Sequence, residues 1–213
     1  MNFFGHVVIS LESGPAPDDP LFVFGSMLPD FASMTRVRIR PPLAPAAVDA
    51  GVRFHHQTDA VFHRAKTFVE AERSAFNELR PKVGRGAALA IAHVGTEMLL
   101  DGHLVESAPA VAAYLDALAA AEAQAAFGLG EAGDSAVGKL VGRLRGYGAP
   151  TAYADPDWVA ERLFDILRPR RRLAIPPERA DDVHSWTRKM QRDLAPHVGT
   201  LMDEVRTGIG DAL

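Results

Sequence analysis

The chain has 213 residues, 47% of them hydrophobic, a formal charge of -4 and no cysteine. That much apolar sequence buries a core without staples, so one compact domain is expected, and the missing cysteines exclude disulfides, a thiolate nucleophile and Cys-ligated zinc, leaving nitrogen and oxygen to hold any metal. The acidic balance argues against stable nucleic-acid binding, no uncharged apolar run reaches the roughly 20 residues of a membrane span, and "MNFFGHVVISLES" lacks the cationic start and cleavage site of a signal peptide, so a soluble cytoplasmic protein is expected.

In chain order, "FFGHVVISL" is apolar around His6 and is short enough for helix or strand; helix is favoured. "SGPAPDDP" is a loop, and "DDPLFVFGSMLPDF" opens a helix with acidic residues before Pro20; Pro29 is expected to kink or end it beside Asp30. "TRVRIRPPLAP" alternates basic and apolar residues and closes in prolines, as an exposed extended segment does. A long helical pattern then runs from "APAAVDAGVRFHHQTD" to "SAFNEL", with a bend expected near Gly51 or His63 and a break at "RPKVG". Another helix follows from about Gly84, then an alanine-rich one from about Ala108 to Phe127, a glycine-rich connection, and helices near 134–147, 156–168 and 177–208. Strong helix formers dominate, so the fold class expected is an all-α bundle of six to eight helices.

Within "LAIAHVGTEMLLDG", His93, Glu97 and Asp101 recur every fourth residue. Advancing about 100° per residue, they fall within roughly 80° of one another on the helix. Thr96 is the only other polar side chain between Ala87 and Leu100, so these groups stand on an otherwise apolar segment. An isolated carboxylate there faces a desolvation penalty of several kcal/mol, and the segment supplies no Lys or Arg to offset it. A bound cation is the economical partner. On the preceding helix, His55, His56, Asp59 and His63 fall within an arc of about 100° by the same arithmetic. Asp30 and His6 are further ligand types in apolar surroundings. Such an inventory exceeds what one metal with an open position takes, and suggests a two-metal centre of divalent transition ions (Mn, Fe or Zn) held by mixed imidazole and carboxylate ligands. His6, Asp30, His55, Asp59, His93 and Glu97 are the expected ligands, and His56, His63 and Asp101 the candidates for proton transfer or ligand orientation. His184 and His197 have no comparable company and read as ordinary surface or core residues.

"MNFFGH", "GSMLPDF", "AGVRFHHQTDAVFH" and "AHVGTEMLLDGHL" together resemble the ordered motifs of the acyl carrier protein phosphodiesterases, distant relatives of the HD-type metal phosphohydrolases. The resemblance covers roughly the first half of the chain, with a weaker echo at "WVAERLFDILRPRRRL", and its matching positions are His6, Asp30, Gly51, His55 and Asp59. Where that family has an arginine after the histidine of its HRxxD stretch and an acidic residue four positions after the aspartate, this chain has His56 and His63. Where the family has acidic residues on the next helix, this chain has His93 and Glu97. These replacements make the chain similar also to zinc-dependent phospholipase C and related nucleases, all-α enzymes with His-x-x-x-Asp and His-x-x-x-Glu helical pairs. Both resemblances imply hydrolysis of a phosphodiester at a metal centre.

For the first family the implied substrate is the ester joining 4′-phosphopantetheine to a serine of acyl carrier protein, an acidic partner that the arginines of "TRVRIR" and "RPRRRL" suit as a docking rim. Two other expectations stand beside this one. A non-catalytic helical protein would use the same ligands to brace its core or sense metal, and an ordinary bundle would pair its histidines and carboxylates with each other.

Overall fold

The structure, a computed structural model, describes residues 1–210. Those residues form helices and turns with no β-strand among them: α1 (Phe3–Ser13), α2 (Pro20–Thr35), α3 (Ala46–Phe62), α4 (Lys66–Val83), α5 (Arg85–Ala90), a π-helical turn (Ile91–Gly95), α6 (Thr96–Leu104), α7 (Ala108–Gln124), α8 (Glu131–Tyr147), α9 (Pro156–Leu167), α10 (Ala180–Leu194) and α11 (Val198–Gly210). The all-α expectation holds.

Several helix starts follow from local chemistry. Asp19 caps α2, accepting from the Leu21 amide at 2.9 Å, with Pro20 supplying a first-turn φ and no orphan donor. Asp155 and Ser107 cap α9 and α7 in the same way, each with a proline in the first turn.

The breaks differ from the sequence pattern in two places. Pro29 neither ends nor stops α2, which runs on to Thr35. Met27, Leu28 and Phe31 are all 0% exposed around it, and that burial outweighs the roughly 3 kcal/mol an interior proline costs. The break expected at "RPKVG" does fall there, at its glycine: α4 carries Pro81 and stops at Gly84, where φ is 82°. The long pattern expected over 177–208 is interrupted at Ala195–His197, a 3-10 turn containing Pro196. Elsewhere the expected bend near His63 is a full break between α3 and α4, and α3 passes through Gly51 without interruption.

The chain divides into two compact units. The first comprises Met1–Val61, Leu104–Pro150 and the segment from Arg206, and so contains α1, α2, nearly all of α3, α7 and α8. Its core is aromatic: Phe3 stacks on Tyr114 with centroids 5.8 Å apart, and Phe24 meets Phe127 at 4.8 Å. In this unit α2 and α3 cross closely, because Gly25 and Gly51 face one another; a Cβ on Gly51 would lie 2.7 Å from the Gly25 Cα. The crossing brings the turn after Gly25, carrying Ser26, against the turn after Gly51, carrying His55.

The second unit comprises Phe62–His103 and Thr151–Val205. Here α4 packs on α5, the π turn and α10, while α9 packs on α10 and the π turn. Trp186 and Leu163 are buried at the centre, and Gly95 lets the π turn approach the indole: a Cβ there would be 2.8 Å from the Trp186 ring.

Candidate metal centres

In the first unit, ligand atoms of His6, Asp30 and His55 all lie within 4.8 Å of one another. His6 comes from α1, Asp30 from α2 and His55 from α3. Both rings are interior, at 0% and 5% exposure, and stack with centroids 3.9 Å apart.

Their hydrogen bonds fix which nitrogen carries the proton. His55 Nδ1 lies 2.8 Å from the Ser26 carbonyl oxygen, which can only accept, so Nδ1 donates. Thr58 Oγ1 donates to the His55 carbonyl at 2.9 Å, and with its one proton so used it accepts from His6 Nδ1 at 3.0 Å. Each ring in this neutral form presents Nε2 as a lone pair, the form a metal requires and the orientation a ligand histidine gains from an acceptor behind it. Burial, and after it the charge of neighbouring His6, holds the His55 pKa down at about 2, so this ring is neutral across the physiological range.

Asp59, one turn beyond His55, stands beside the group. Its Oδ1 is 3.7 Å from His6 Nε2 and accepts from the Met1 amino group at 2.8 Å. Burial pushes its pKa up, but neighbouring His6 and the positive Met1 amino group more than reverse this, leaving the carboxylate ionised well below its usual range. A cation near His6 Nε2 would reconcile a lone pair with carboxylates; a proton on that nitrogen would do so only by placing a charged imidazolium face to face with His55.

The second unit holds a separate group: His63, His93 and Glu97, again within 4.8 Å. Glu97 Oε1 is 3.2 Å from His63 Nε2 and 3.4 Å from His93 Nε2, and the rings stack almost parallel, 8° apart, at 4.9 Å. His93 Nδ1 is 2.8 Å from Glu72 Oε1, so this ring too has an acceptor behind it and Nε2 in front. Burial alone would raise the Glu97 pKa; the net shift is downward, with His63 and His93 among its causes. His93 sits inside the π turn, a wider coil than an α-helix and a frequent feature of functional sites.

The nine sequence candidates therefore sort unevenly. His6, Asp30 and His55 come together with Asp59 beside them; His93 and Glu97 come together with His63, which is a member of the ligand group rather than only a candidate proton donor. His56 is exposed on α3, its ring edge-on to His55 at 5.4 Å, and belongs to neither group. Asp101, a candidate for proton transfer or ligand orientation, is 0% exposed and also belongs to neither. Thr58 and Glu72, the acceptors behind two of the rings, were not singled out in the sequence; Thr58 is three residues from His55, so a helical back-bond was legible, whereas Glu72 gave no signal among its charged neighbours. His184 is held between Asp157 and Glu161 at 2.9 and 3.0 Å, apart from both groups.

Imidazole nitrogens with one or two carboxylates fit zinc, manganese or iron by donor type. Comparison with protein families, curated proteins and solved structures found no match. No single helix among the described residues is long and apolar enough to cross a membrane.

Proposed function

We propose that the chain is a divalent-metal-dependent phosphodiester hydrolase acting on the 4′-phosphopantetheine ester of an acidic acyl carrier protein. The observation that carries the metal requirement is the hydrogen-bonded series His6 Nδ1, Thr58 Oγ1, His55 carbonyl, together with His55 Nδ1 on the Ser26 carbonyl, which leaves the Nε2 lone pairs of two buried rings that group with Asp30. The phosphodiester part rests on the resemblance of "GSMLPDF" and "FHHQTD" to known phosphodiesterases.

Divalent cations in such sites supply Lewis acidity, easing deprotonation of water at neutral pH and neutralising charge that develops on phosphoryl oxygens. His6, Asp30 and His55 would hold one ion, with Asp59 completing the set; His63, His93 and Glu97 would hold another. Glu97 and Asp59 stay ionised and so serve as ligands or proton acceptors rather than acids. His56, exposed beside His55 and outside both ligand groups, is the group assigned to deliver a proton to the departing serine oxygen.

Elemental analysis of chelator-free protein is expected to give about two equivalents of transition metal, one for each three-residue group. With Mn, Fe or Zn supplied in turn, the protein should hydrolyse bis(p-nitrophenyl) phosphate and release phosphopantetheine from the holo carrier; His55→Ala should lose about one equivalent and at least about 100-fold in rate while keeping its helical circular dichroism. Metal bound without turnover would instead support a bracing or sensing role, and less than about 0.3 equivalents after reconstitution would remove both metal readings.

A further inference from the structure

The two ligand groups offer the same donor types but differ in how water reaches them. In the first, the flanking residues Val7, Phe31 and Phe54 are buried along with the His6 and His55 rings, and the acceptors behind those rings are a backbone carbonyl and the buried Thr58 hydroxyl. Of the residues at this group, Asp30 and Asp59 reach part-way to the surface. In the second, the His63 and His93 side chains are 33% and 39% exposed. Glu72, behind His93, is half-buried as well. Arg64, next to His63, and Leu89, four residues before His93, are exposed. An ion leaves a site one ligand bond at a time, each bond replaced by water or by an incoming chelator. Exposed ligands give that exchange an open route, whereas buried ones require the surrounding helices to part first.

We propose that the His63, His93 and Glu97 group is an exchangeable metal site that loads and empties with free metal, while the His6, Asp30 and His55 group retains its ion. The open group then acts as a metal-availability switch, with turnover following its occupancy. The link to turnover rests on the hydrolase reading above; the difference in exchange rests on burial alone. A closed shell of ligands suits an ion that stays, and an open one suits an ion that meets solvent and substrate.

The test mixes the zinc-loaded full chain with an excess of a chromophoric zinc chelator and follows release by absorbance. Two phases of equal amplitude are expected, the slower at least about 100-fold slower than the faster. His93→Ala, at a half-exposed position, should remove the fast phase, leave the slow one and keep the helical circular dichroism. Wild-type protein separated from the chelator between the two phases should hold about half its zinc and hydrolyse bis(p-nitrophenyl) phosphate at least about tenfold more slowly, with the rate restored by free zinc. Release of all the zinc in a single phase, loss of the slow phase in His93→Ala, or no zinc bound at all overturns the exchangeable site. Full turnover with the fast phase gone overturns the switch. No turnover at any occupancy removes the hydrolase reading and the switch with it, and the release phases still decide the exchangeable site.

Discussion

A histidine becomes a useful ligand when something behind it decides which nitrogen faces forward. In the first unit that role falls to the Ser26 carbonyl and the Thr58 hydroxyl; in the second it falls to Glu72, an ionisable acceptor 2.8 Å from His93 Nδ1. A carboxylate in this position both orients the ring and raises its basicity, and removing such a partner commonly weakens metal binding 10–100-fold. Glu72→Gln keeps size and an acceptor oxygen but loses the charge. Zinc affinity, measured by competition with a chromophoric chelator, is expected to fall about tenfold for one of two equivalents. Because the Glu72 and His93 side chains are 33% and 39% exposed, the urea midpoint of the metal-free protein should hardly move. Equal zinc affinities in variant and wild type would make Glu72 a surface neighbour and nothing more.

At the scale of helices, much of the fold was legible because caps and prolines act locally: Asp19-Pro20 and Asp155-Pro156 start helices where their chemistry says they should. What was not legible depends on packing. Pro29 was expected to kink or end α2, and the burial of Phe31 and its neighbours carries the helix past it to Thr35. Counting 100° per residue grouped Asp101 with His93 and Glu97; His93 and Glu97 do meet, whereas Asp101, one turn further along α6, is buried outside the group. The α2–α3 crossing is the element-level feature on which the first metal group depends. Gly51→Ala would drive a methyl group into the α2 backbone, which cannot yield as a flexible side chain can. We expect a loss of about 1–3 kcal/mol in urea unfolding, accompanied by weaker metal binding as His55 is displaced from Ser26. Gly138→Ala, on α8 with nothing within 4 Å of the added Cβ, is the matched control and should be neutral or slightly stabilising. Equal stability of the two variants would mean that the crossing has slack.

For the molecule as a whole, the sequence pooled His6, Asp30, His55, Asp59, His93 and Glu97 into one inventory of candidate ligands, whereas the structure gathers His6, Asp30 and His55 in one group and His93, Glu97 and His63 in another, in two compact units. Each unit is assembled from segments far apart in the chain, and no local pattern reports which segments pair. The burial of these groups ties stability to pH. The folded chain holds His55 at a pKa of about 2 against the ordinary 6.5, so below pH 6.5 the unfolded chain takes up a proton that the folded chain refuses. Stability from this residue is complete above 6.5 and is lost as pH falls toward 2, at up to about 1.4 kcal/mol per pH unit. Asp59 acts in the same direction at lower pH: its depressed pKa stabilises the fold above the usual carboxylate range, and that contribution disappears on acidification through the folded value. The Tm of chelator-treated protein should therefore be level above about pH 7 and decline between about pH 6.5 and 5. Added zinc should raise Tm more at pH 7.5 than at pH 5.5, because protons compete for the imidazole nitrogens. His55→Gln, which removes the titrating ring, should flatten the metal-free decline; a wild-type Tm that stays level down to pH 5 would show that His55 is not held neutral in the fold.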